Sequence, residues 1–369
     1  MKKKVLFIVN SMRAGGAEKI LSDLLERSEY HLNYEIDLLI FDKDGPFLSK
    51  IPSDKVKIYN FKKNDSKLKW WILKKLYKYT GIKIFFNKRV KELIKGNYDC
   101  IISFVEGIPV FLHNFLISKS KLNLTWVHND FITNHWTQVL FHKNDESNIY
   151  SRMDKIITVS NSALESFNLI YENNVKKQVI YNFVINNQYK LVKKSNIFTL
   201  CTIGRLEVIK NFNCLIRALK IVKDQGYIFK CYIIGEGSER QNLLRDIEKL
   251  GLCSEVILTG FLMNPAEYLN NSDIFISTSF SESFSLAIAE ALVANKPVIA
   301  SKTIGACELL KNGQYGILFD IDNEKELAER IIDCMVNHNT LTNYQLKSKE
   351  RAAIFAFENF VQQLQQVLK

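Results

Sequence analysis

The stretch of residues 273–301, DIFISTSFSESFSLAIAEALVANKPVIAS, constrains the fold more than any other part of the sequence. Residues 273–277 and 297–300 are short, largely apolar runs, a pattern typical of buried parallel strands. The alanine-rich segment 284–294 between them predicts a helix. A helix that joins two parallel strands is the repeating unit of α/β proteins, so we predict an α/β fold.

Two carboxylates lie in this stretch. Glu290 is the only ionisable residue of segment 284–294, where its neighbours are mostly alanine. Such a carboxylate is costly unless something donates hydrogen bonds to it. Glu282 lies eight residues earlier, about 12 Å away along a continuous helix, so we place it in the loop before the helix and Glu290 about two turns inside. Glu290 is then either part of a ligand site or the ion-pair partner of a Lys or Arg.

Length and composition predict a cytoplasmic protein of two domains. The chain has 369 residues, and a domain takes very roughly 150. We expect one domain at residues 1–185, a second at 190–351 and a terminal helix at 352–369. The seven cysteines lack CxxC spacing, which indicates reduced core residues. No apolar run approaches the roughly 18 residues of a membrane span, and the N-terminal lysines pass directly into a strand, so we expect no signal peptide.

The segment of residues 62–95 is strongly basic. It holds twelve Lys or Arg against two acidic residues, and so carries +10 of the chain's net charge of +11. Its periodicity predicts a helix with an apolar face and a lysine face. The apolar face holds Leu68, Trp71, Ile72, Leu76 and Tyr79, the opposite face holds Lys67, Lys74 and Lys78, and Trp70 lies at the boundary.

Three interpretations of this segment are open. An amphipathic helix with lysines and tryptophans can bind the surface of an anionic membrane, where each Lys adds about 1 kcal/mol. A helix that packs on an ordinary core and exposes its lysines to water has the same pattern. Nucleic acid is the third possible partner, but no stacking motif accompanies the nearby strands. We expect an anionic membrane surface as the partner of residues 62–95, and no nucleic acid.

Polar loops follow predicted strands in the first domain. Gly15 and Gly16 follow the strand VLFIV and open a helix, where a glycine pair lets a ligand approach the backbone and the helix N-terminus favours anions. An ordinary tight turn explains the pair equally well. Glu106 and His128 each follow another apolar run. Because ligands collect at the carboxyl ends of strands in open α/β sheets, we expect His128 to be functional.

In the second domain, the loop after the predicted strand at 197–203 begins GRLEVIK. Gly204 permits the turn, Arg205 can grip phosphate oxygens through two hydrogen bonds, and Lys210 adds a point charge. Two cations in one strand-to-helix loop would offset the charge of a diphosphate. Farther along, we expect Asp322 to cap a helix rather than bind a metal, and we expect no metal site.

Taken in order, these loops resemble those of the retaining family-4 glycosyltransferases. The match consists of GGAE near the N-terminus, HND after a strand, GRL and KN after the strand at 197–203, and the E-x7-E spacing of Glu282 and Glu290 within ESFSLAIAE. The resemblance covers nearly the whole chain. It implies two Rossmann-like domains that face each other across a cleft (the GT-B architecture), with the helix at 352–369 crossing back to the first domain.

The resemblance also implies roles for these positions. Glu282 would lie beside the donor sugar, Glu290 would bind the ribose, and His128 would contact the donor sugar or the acceptor. Arg205 and Lys210 would stabilise the departing diphosphate. The family commonly has glycine on either side of the Phe in ESFS, where this chain has serine. The expected nucleotide-binding residues are Gly15, Gly16, Gly204, Phe261, Leu262, Ser283, Phe284, Ser285 and Glu290.

The implied activity is transfer of a sugar from a nucleoside diphosphate sugar to a hydroxyl, with retained anomeric configuration and with UDP as the expected nucleotide. Residues 1–185 would take the acceptor and residues 190–351 the donor. The basic segment favours a lipid-linked or polysaccharide acceptor, reached by a cytoplasmic enzyme peripheral to the inner face of the cell membrane, without a cofactor or metal. The alternatives are a nucleotide-sugar epimerase of the same fold and a catalytically silent nucleotide-sugar-binding partner subunit.

Overall fold

The structure, a computed structural model, describes residues 2–31, 34–63, 65–185 and 197–369. The chain divides into two compact units, Met1–Asn182 with Glu358–Lys369, and Phe183–Phe357. The predicted boundary between residues 185 and 190, and the predicted start of the second domain at 190–196, lie outside the described residues. So do Asn64 and the side chain of Lys67 in the basic segment.

The first unit is built on a parallel sheet. Its described strands are β1 (Lys3–Val9), β2 (Tyr34–Ile40), β3 (Lys57–Asn60), β4 (Tyr98–Ser103), β5 (Ser120–Val127), β6 (Lys155–Thr158) and β7 (Lys176–Val179). They lie in the order β3-β2-β1-β4-β5-β6-β7, and every neighbouring pair is parallel. The central strand β1 is buried from Val5 to Val9, as expected for a strand that is covered on both faces.

Helices connect these strands, and short 3-10 turns interrupt the loops. The described helices of this part of the chain are α1 (Gly16–His31), α2 (Lys67–Thr80), α3 (Ile84–Leu93), α4 (Ile108–His113), α5 (Asp145–Tyr150) and α6 (Asn161–Ile170). The 3-10 turns of the whole described chain are Pro46–Lys50, Ile117–Lys119, Trp136–Val139, Val208–Lys210 and Ala353–Phe355.

Helix α2 contacts the core through one stripe and turns apolar side chains outward on another. Trp70 and Tyr77 are 3% exposed, and Leu73 packs partly against the same core. Trp70 was expected at the boundary of the faces, and this was wrong, because its ring packs against those of Phe41, Phe61 and Phe86. The exposed apolar side chains of the predicted face are Leu68, Trp71, Ile72 and Tyr79, which are 64%, 54%, 50% and 72% exposed.

The lysines of α2 do not all lie in water. Lys69 and Lys75 are exposed, whereas Lys74 is half-buried with its Nζ 4.7 Å from the ring centroid of Phe41, and burial lowers its pKa. The ammonium of Lys75 lies 4.0 Å from the ring centroid of Trp71. The outward side of α2 therefore mixes apolar and cationic groups. A core helix that exposes only lysines does not have this arrangement.

The second unit repeats the topology of the first. Its strands β8 (Phe198–Ile203), β9 (Phe229–Ile234), β10 (Val256–Gly260), β11 (Ile274–Ser277), β12 (Val298–Ser301) and β13 (Ile317–Phe319) lie in the order β10-β9-β8-β11-β12-β13, all parallel. The α/β prediction with two Rossmann-like sheets is confirmed. The helices are α7 (Phe212–Asp224), α8 (Arg240–Lys249), α9 (Ala266–Asn271), α10 (Leu286–Val293), α11 (Ile304–Leu309), α12 (Glu324–Val336) and α13 (His338–Ala352).

The last helix, α14 (Phe357–Val367), returns the chain to the first unit. The ring of Phe360 stacks on that of Trp126 with centroids 5.8 Å apart, and Lys3 Nζ donates to the carbonyl of Leu368 at 2.9 Å. The returning segment starts at Glu358 and not at residue 352 as expected. The 3-10 turn Ala353–Phe355 interrupts the predicted single helix, and α14 begins at Phe357.

Candidate active site

The strand order of the second unit reverses between β8 and β11, which are hydrogen-bonded neighbours. In open parallel sheets, the loops on either side of such a reversal leave a crevice at the carboxyl edge, where ligands bind. The loop after β8 carries Gly204, Arg205 and Lys210, and the loop after β11 carries Glu282. Four predicted site residues therefore lie at one edge of one sheet.

Side-chain hydrogen bonds join these two loops. Lys210 donates from Nζ to Oε1 of Glu282, and Ser279 Oγ donates to the same oxygen at 3.0 Å. Thr278 Oγ1 donates to the carbonyl of Lys210 at 2.9 Å. The side chains of Lys210 and Glu282 are 21% and 13% exposed, so water screens the pair only in part.

A glycine in helix α11 holds the backbone of the Glu282 loop. The amide of Gly305 donates to the carbonyl of Glu282 at 2.8 Å. A Cβ at Gly305 would lie 2.6 Å from that oxygen and 2.7 Å from the carbonyl carbon of Ser283, closer than van der Waals contact allows. The close approach of α11 to this loop therefore requires glycine.

Helix α10 begins directly after the Glu282 loop. The side chain of Ser285 accepts a hydrogen bond from the amide of Ile288 at 3.4 Å, which makes Ser285 the N-cap and Leu286 the first helical residue. The predicted start at residue 284 was therefore two residues early. Glu290 consequently lies about one turn inside the helix, and the expected two turns were wrong.

Glu290 lies on the less buried side of α10. Ala289 and Ala291 are fully buried, whereas Glu290 is half-buried. These two alanines therefore face the core, and Glu290 lies on the partly exposed side of the helix. Before the helix, Ser283 and Phe284 are buried, and the Phe284 ring packs edge-on against Phe355 with centroids 6.0 Å apart.

The remaining predicted nucleotide contacts of this unit also follow strands. Arg205 Nη1 lies 2.8 Å from Glu207 Oε1, and Arg205 is 55% exposed, so a phosphate would compete with Glu207 for the guanidinium. A Cβ on Gly235 would lie 1.9 Å from the carbonyl oxygen of Gly204, so the loops after β8 and β9 are in contact. Phe261 and Leu262, both half-buried, directly follow β10.

The first unit brings Glu106 and His128 together. Glu106 Oε1 accepts from the amides of His128 and Asn129, the latter at 2.7 Å, and Oε2 accepts from Asn129 Nδ2 at 3.2 Å. Desolvation raises the pKa of Glu106 to about 7, although these hydrogen bonds oppose the shift. Glu106 thus holds the loop that carries His128.

Burial also decides the charge of His128. Desolvation lowers its pKa to about 4, so the imidazole is neutral at neutral pH. The ring nitrogen Nε2 lies 2.9 Å from the carbonyl of Phe104, which can only accept, so Nε2 carries the proton and Nδ1 does not. His128 is therefore suited to accept a hydrogen bond rather than to supply positive charge.

Gly15 and Gly16 lie at the start of α1, after β1. The Gly15 amide donates to the carbonyl of Arg13 at 2.9 Å, and the Gly15 carbonyl accepts from Lys19 at 3.0 Å. A Cβ on Gly15 would meet the carboxylate of Glu18 at 2.2 Å. The carboxylate of Glu18 therefore occupies the space that a side chain on Gly15 would fill. The approach of a ligand to this glycine pair stays a prediction.

Residues 184–351 match the family model described as Glycosyl transferases group 1, and they include both loops that Lys210 and Glu282 join. The second unit is similar to the group 1 glycosyl transferases over these residues and is called the glycosyl transferase domain below. The chain is a glycosyltransferase. The prediction of an enzyme of this kind is thereby confirmed.

Relatives extend the similarity beyond this glycosyl transferase domain. The chain is 25% identical over 366 residues to N-acetylgalactosamine-N,N'-diacetylbacillosaminyl-diphospho-undecaprenol 4-alpha-N-acetylgalactosaminyltransferase of Campylobacter jejuni, covering 96% of each chain. It is 23% identical to poly(glycerol-phosphate) alpha-glucosyltransferase of Bacillus subtilis, over 92% of this chain and 53% of the relative.

The glycosyltransferase also shares its fold with HepE of Anabaena, whose crystal structure was solved in complex with UDP-glucose. The TM-score is 0.82 at 21% sequence identity, and 99% of each chain is covered. The predicted resemblance to GT-B glycosyltransferases is confirmed at the level of the fold.

Sequence reasoning missed several residues that shape the glycosyl transferase domain. Ser279 and Gly305 both position Glu282, and the only signal in the sequence was a Ser/Thr-rich turn after β11. The expectation that Asp322 caps the next helix was wrong, because Asn323 is the N-cap of α12 and Asp322 instead pairs with Arg217 at 2.7 Å. Among the described residues, no group of three or more His, Cys, Asp or Glu could hold a metal ion.

Proposed function

We propose that this glycosyltransferase moves a sugar from a UDP-sugar, with retention of the anomeric configuration, to a hydroxyl of a lipid-linked or polysaccharide acceptor. The observation that carries the proposal is the ion pair of Lys210 and Glu282 at the carboxyl edge of β8 and β11. This pair puts a cation and a carboxylate side by side at the edge where a nucleotide sugar would present its diphosphate and its sugar.

The chemistry explains why both charges are needed. As the bond to the sugar breaks, negative charge grows on the diphosphate, and fixed cations and backbone amides stabilise it. Lys210 is held for this role by its contact with Glu282 and by the hydrogen bond from Thr278. Arg205 would join it after leaving Glu207. Glu282 would then orient the sugar, and Glu290 would bind the ribose.

The names of relatives support the acceptor class and the stereochemistry. The Campylobacter jejuni relative is named for a diphospho-undecaprenol substrate and the Bacillus subtilis relative for poly(glycerol-phosphate), and both names specify an alpha linkage. Retention from an alpha-linked donor gives an alpha product. The UDP-glucose bound to HepE supports UDP as the nucleotide.

We propose that the enzyme acts at the inner face of the cell membrane. The support is helix α2, which anchors itself through Trp70 and Tyr77 and presents Trp71 and Ile72 to solvent beside lysines. Exposed apolar side chains interleaved with cations are typical of helices that lie in an anionic membrane interface. None of the described helices combines the length and the hydropathy needed to cross a bilayer.

A panel of nucleotides and nucleotide sugars tests the donor. We expect UDP and one UDP-sugar to raise the thermal midpoint more than the corresponding guanosine compounds, and Lys210→Met to remove most of that shift. The matched control is Lys220→Met, which removes a partly exposed lysine of the same unit that pairs with Asp224. Equal stabilisation by UDP in both variants would contradict the placement of the diphosphate.

Product analysis tests the reaction. We expect label from the best UDP-sugar to appear in a lipid-linked or polysaccharide acceptor, and NMR of the product to show the anomeric configuration of the donor. An inverted product would exclude retention. Conversion of the donor in the absence of any acceptor would identify the epimerase alternative, and donor binding without any turnover would identify the silent partner.

A further inference from the structure

We propose that an open pocket on the first unit binds the phosphate of an anionic phospholipid headgroup and so orients the enzyme on the membrane. The inference rests on the proposed membrane location. The pocket has a volume of about 470 Å³. Its polar lining consists of the cations Lys83, Lys91 and Arg152 and the amides Asn87 and Asn114.

Two of the three cations are available to an anion. Lys83 lies 3.2 Å from Asp145, which neutralises it. Lys91 and Arg152 have no carboxylate oxygen within 4.0 Å among the residues that the structure describes. Arg152 Nη1 donates to Asn114 Oδ1 at 2.5 Å, which orients the guanidinium while its other N–H groups can bind a phosphate. The pocket therefore carries an excess of two positive charges.

The apolar part of the lining favours a lipid over a soluble anion. Ile84 and Phe115 complete the pocket, and Ile84 is 66% exposed. Next to Ile84 on α3, Phe85 is 52% exposed. Exposed apolar side chains give no benefit to a site for free phosphate, but they gain free energy when they enter the acyl boundary beside a headgroup. The large exposed apolar residues of this part of the chain are Leu68, Trp71, Ile72, Tyr79, Ile82, Ile84 and Phe85.

The pocket is separate from the catalytic edge. Asn114 and Phe115 lead into the amino end of β5, Arg152 leads into that of β6, and Lys91 lies near the end of α3, before β4. Glu106 and the other predicted ligand groups of this unit follow the carboxyl ends of strands. A phosphate in the pocket would therefore not occupy the position of the acceptor or donor.

Vesicle co-sedimentation tests the pocket. The probes are vesicles of phosphatidylcholine with and without phosphatidylglycerol, and the full chain is compared with the double variant Lys91→Glu/Arg152→Glu. We expect this variant to lose about tenfold or more of its affinity for the phosphatidylglycerol vesicles. The control Lys249→Glu/Lys325→Glu makes the same charge change at exposed lysines of the second unit, and we expect a change of about twofold at most because salt screens distant charges. Thermal midpoints check that the variants fold, and Lys91→Gln/Arg152→Gln replaces the Glu variant if it does not.

The outcomes separate the pocket from its alternatives. Equal losses in the pocket and control variants would mean that overall charge drives binding, and the proposal would be wrong. The proposal would also be wrong if soluble glycerol phosphate raised the thermal midpoint as much as phosphatidylglycerol vesicles do and lost this effect in the Lys91/Arg152 variant. The pocket would then be a site for a free phosphate. A vesicle result that opposes the pocket while UDP still raises the thermal midpoint would leave the proposed transfer reaction intact.

Discussion

The ammonium of Lys210 donates to Oε1 of Glu282, although the two residues are separated by 72 positions and follow different strands. The pair joins the loops that follow β8 and β11 at the carboxyl edge of the sheet, where the strand order of the glycosyl transferase domain reverses. Ser279 shares the same oxygen at 3.0 Å. Removal of either charge therefore leaves a partly buried partner uncompensated.

Lys210→Met and Glu282→Gln are expected to separate nucleotide binding from turnover. Loss of the ammonium should weaken UDP binding by about ten- to hundredfold, as expected for a charge near a phosphate at the protein surface. Glu282→Gln keeps the shape of the side chain and should leave UDP affinity within about threefold while lowering kcat by about a hundredfold or more. Calorimetric titration and steady-state kinetics measure the two effects. Equal losses of UDP affinity in both variants would contradict the division of roles.

Gly305→Ala is expected to displace the Glu282 loop. The new Cβ would lie 2.6 Å from the carbonyl oxygen of Glu282, so either α11 or the loop must move, at a cost of about 1–3 kcal/mol in unfolding free energy. Urea unfolding and transfer activity should both be impaired. Gly96→Ala is the matched control, because a Cβ at Gly96 meets nothing within 4 Å, and it should behave like the wild type. Full activity of Gly305→Ala would show that the loop tolerates the shift.

Glu106→Gln is expected to change how stability depends on pH. The pKa of Glu106 is raised to about 7 in the folded protein, so the wild type loses stability as pH rises from about 4.5 through about 7. Glutamine does not titrate and lacks this loss. The unfolding free energy of the variant relative to the wild type should therefore improve by on the order of 3 kcal/mol from pH 4.5 to pH 8, measured by urea unfolding.

The comparison with Glu106→Gln also removes the contributions of other groups. The pKa values of His113 and His128 are lowered to about 4 by burial, and these residues make stability rise with pH over part of the same range. Both histidines remain in the variant, so their effects cancel in the difference. A difference that does not vary with pH would mean that Glu106 titrates as an ordinary carboxylate.

Trp70→Ala and Trp71→Ala are expected to affect different properties, the first stability and the second vesicle binding. Trp70 is 3% exposed among aromatic rings, so its removal should cost about 3–5 kcal/mol of unfolding free energy. Trp71 is 54% exposed, and its removal should change stability by about 0.5 kcal/mol or less. Trp71→Ala should instead weaken binding to phosphatidylglycerol vesicles. Comparable destabilisation by the two variants would contradict the orientation of α2.

Local patterns were sufficient for the elements around the site. The two apolar runs and the alanine-rich segment between them predicted β11, α10 and β12 because buried strands and helices differ in length and in residue preference. The N-cap at Ser285 was not recognised, because several serines before a helix can each serve as a cap and only the backbone geometry selects one.

The outward side of α2 shows a different limit. Helical periodicity predicted one apolar face through Leu68, Trp71 and Ile72, with Trp70 at its boundary. In the structure, Trp70 faces the core, because Phe41, Phe61 and Phe86 come together around its ring from three separate parts of the chain. No local pattern contains that information.

The sequence by itself determined the α/β class and the loops that carry Glu282, Arg205, Lys210 and His128, because hydrophobic periodicity and loop chemistry are local properties. The expectation of two Rossmann-like sheets came from the resemblance to a known family. Only the tertiary structure decided which of these side chains touch. Lys210 meets Glu282 and Glu106 holds the His128 loop because neighbouring parallel strands bring distant loops to one edge. Contacts of this kind depend on strand order and on the close approach of backbone segments that are distant in the sequence. No local sequence pattern shows either of them.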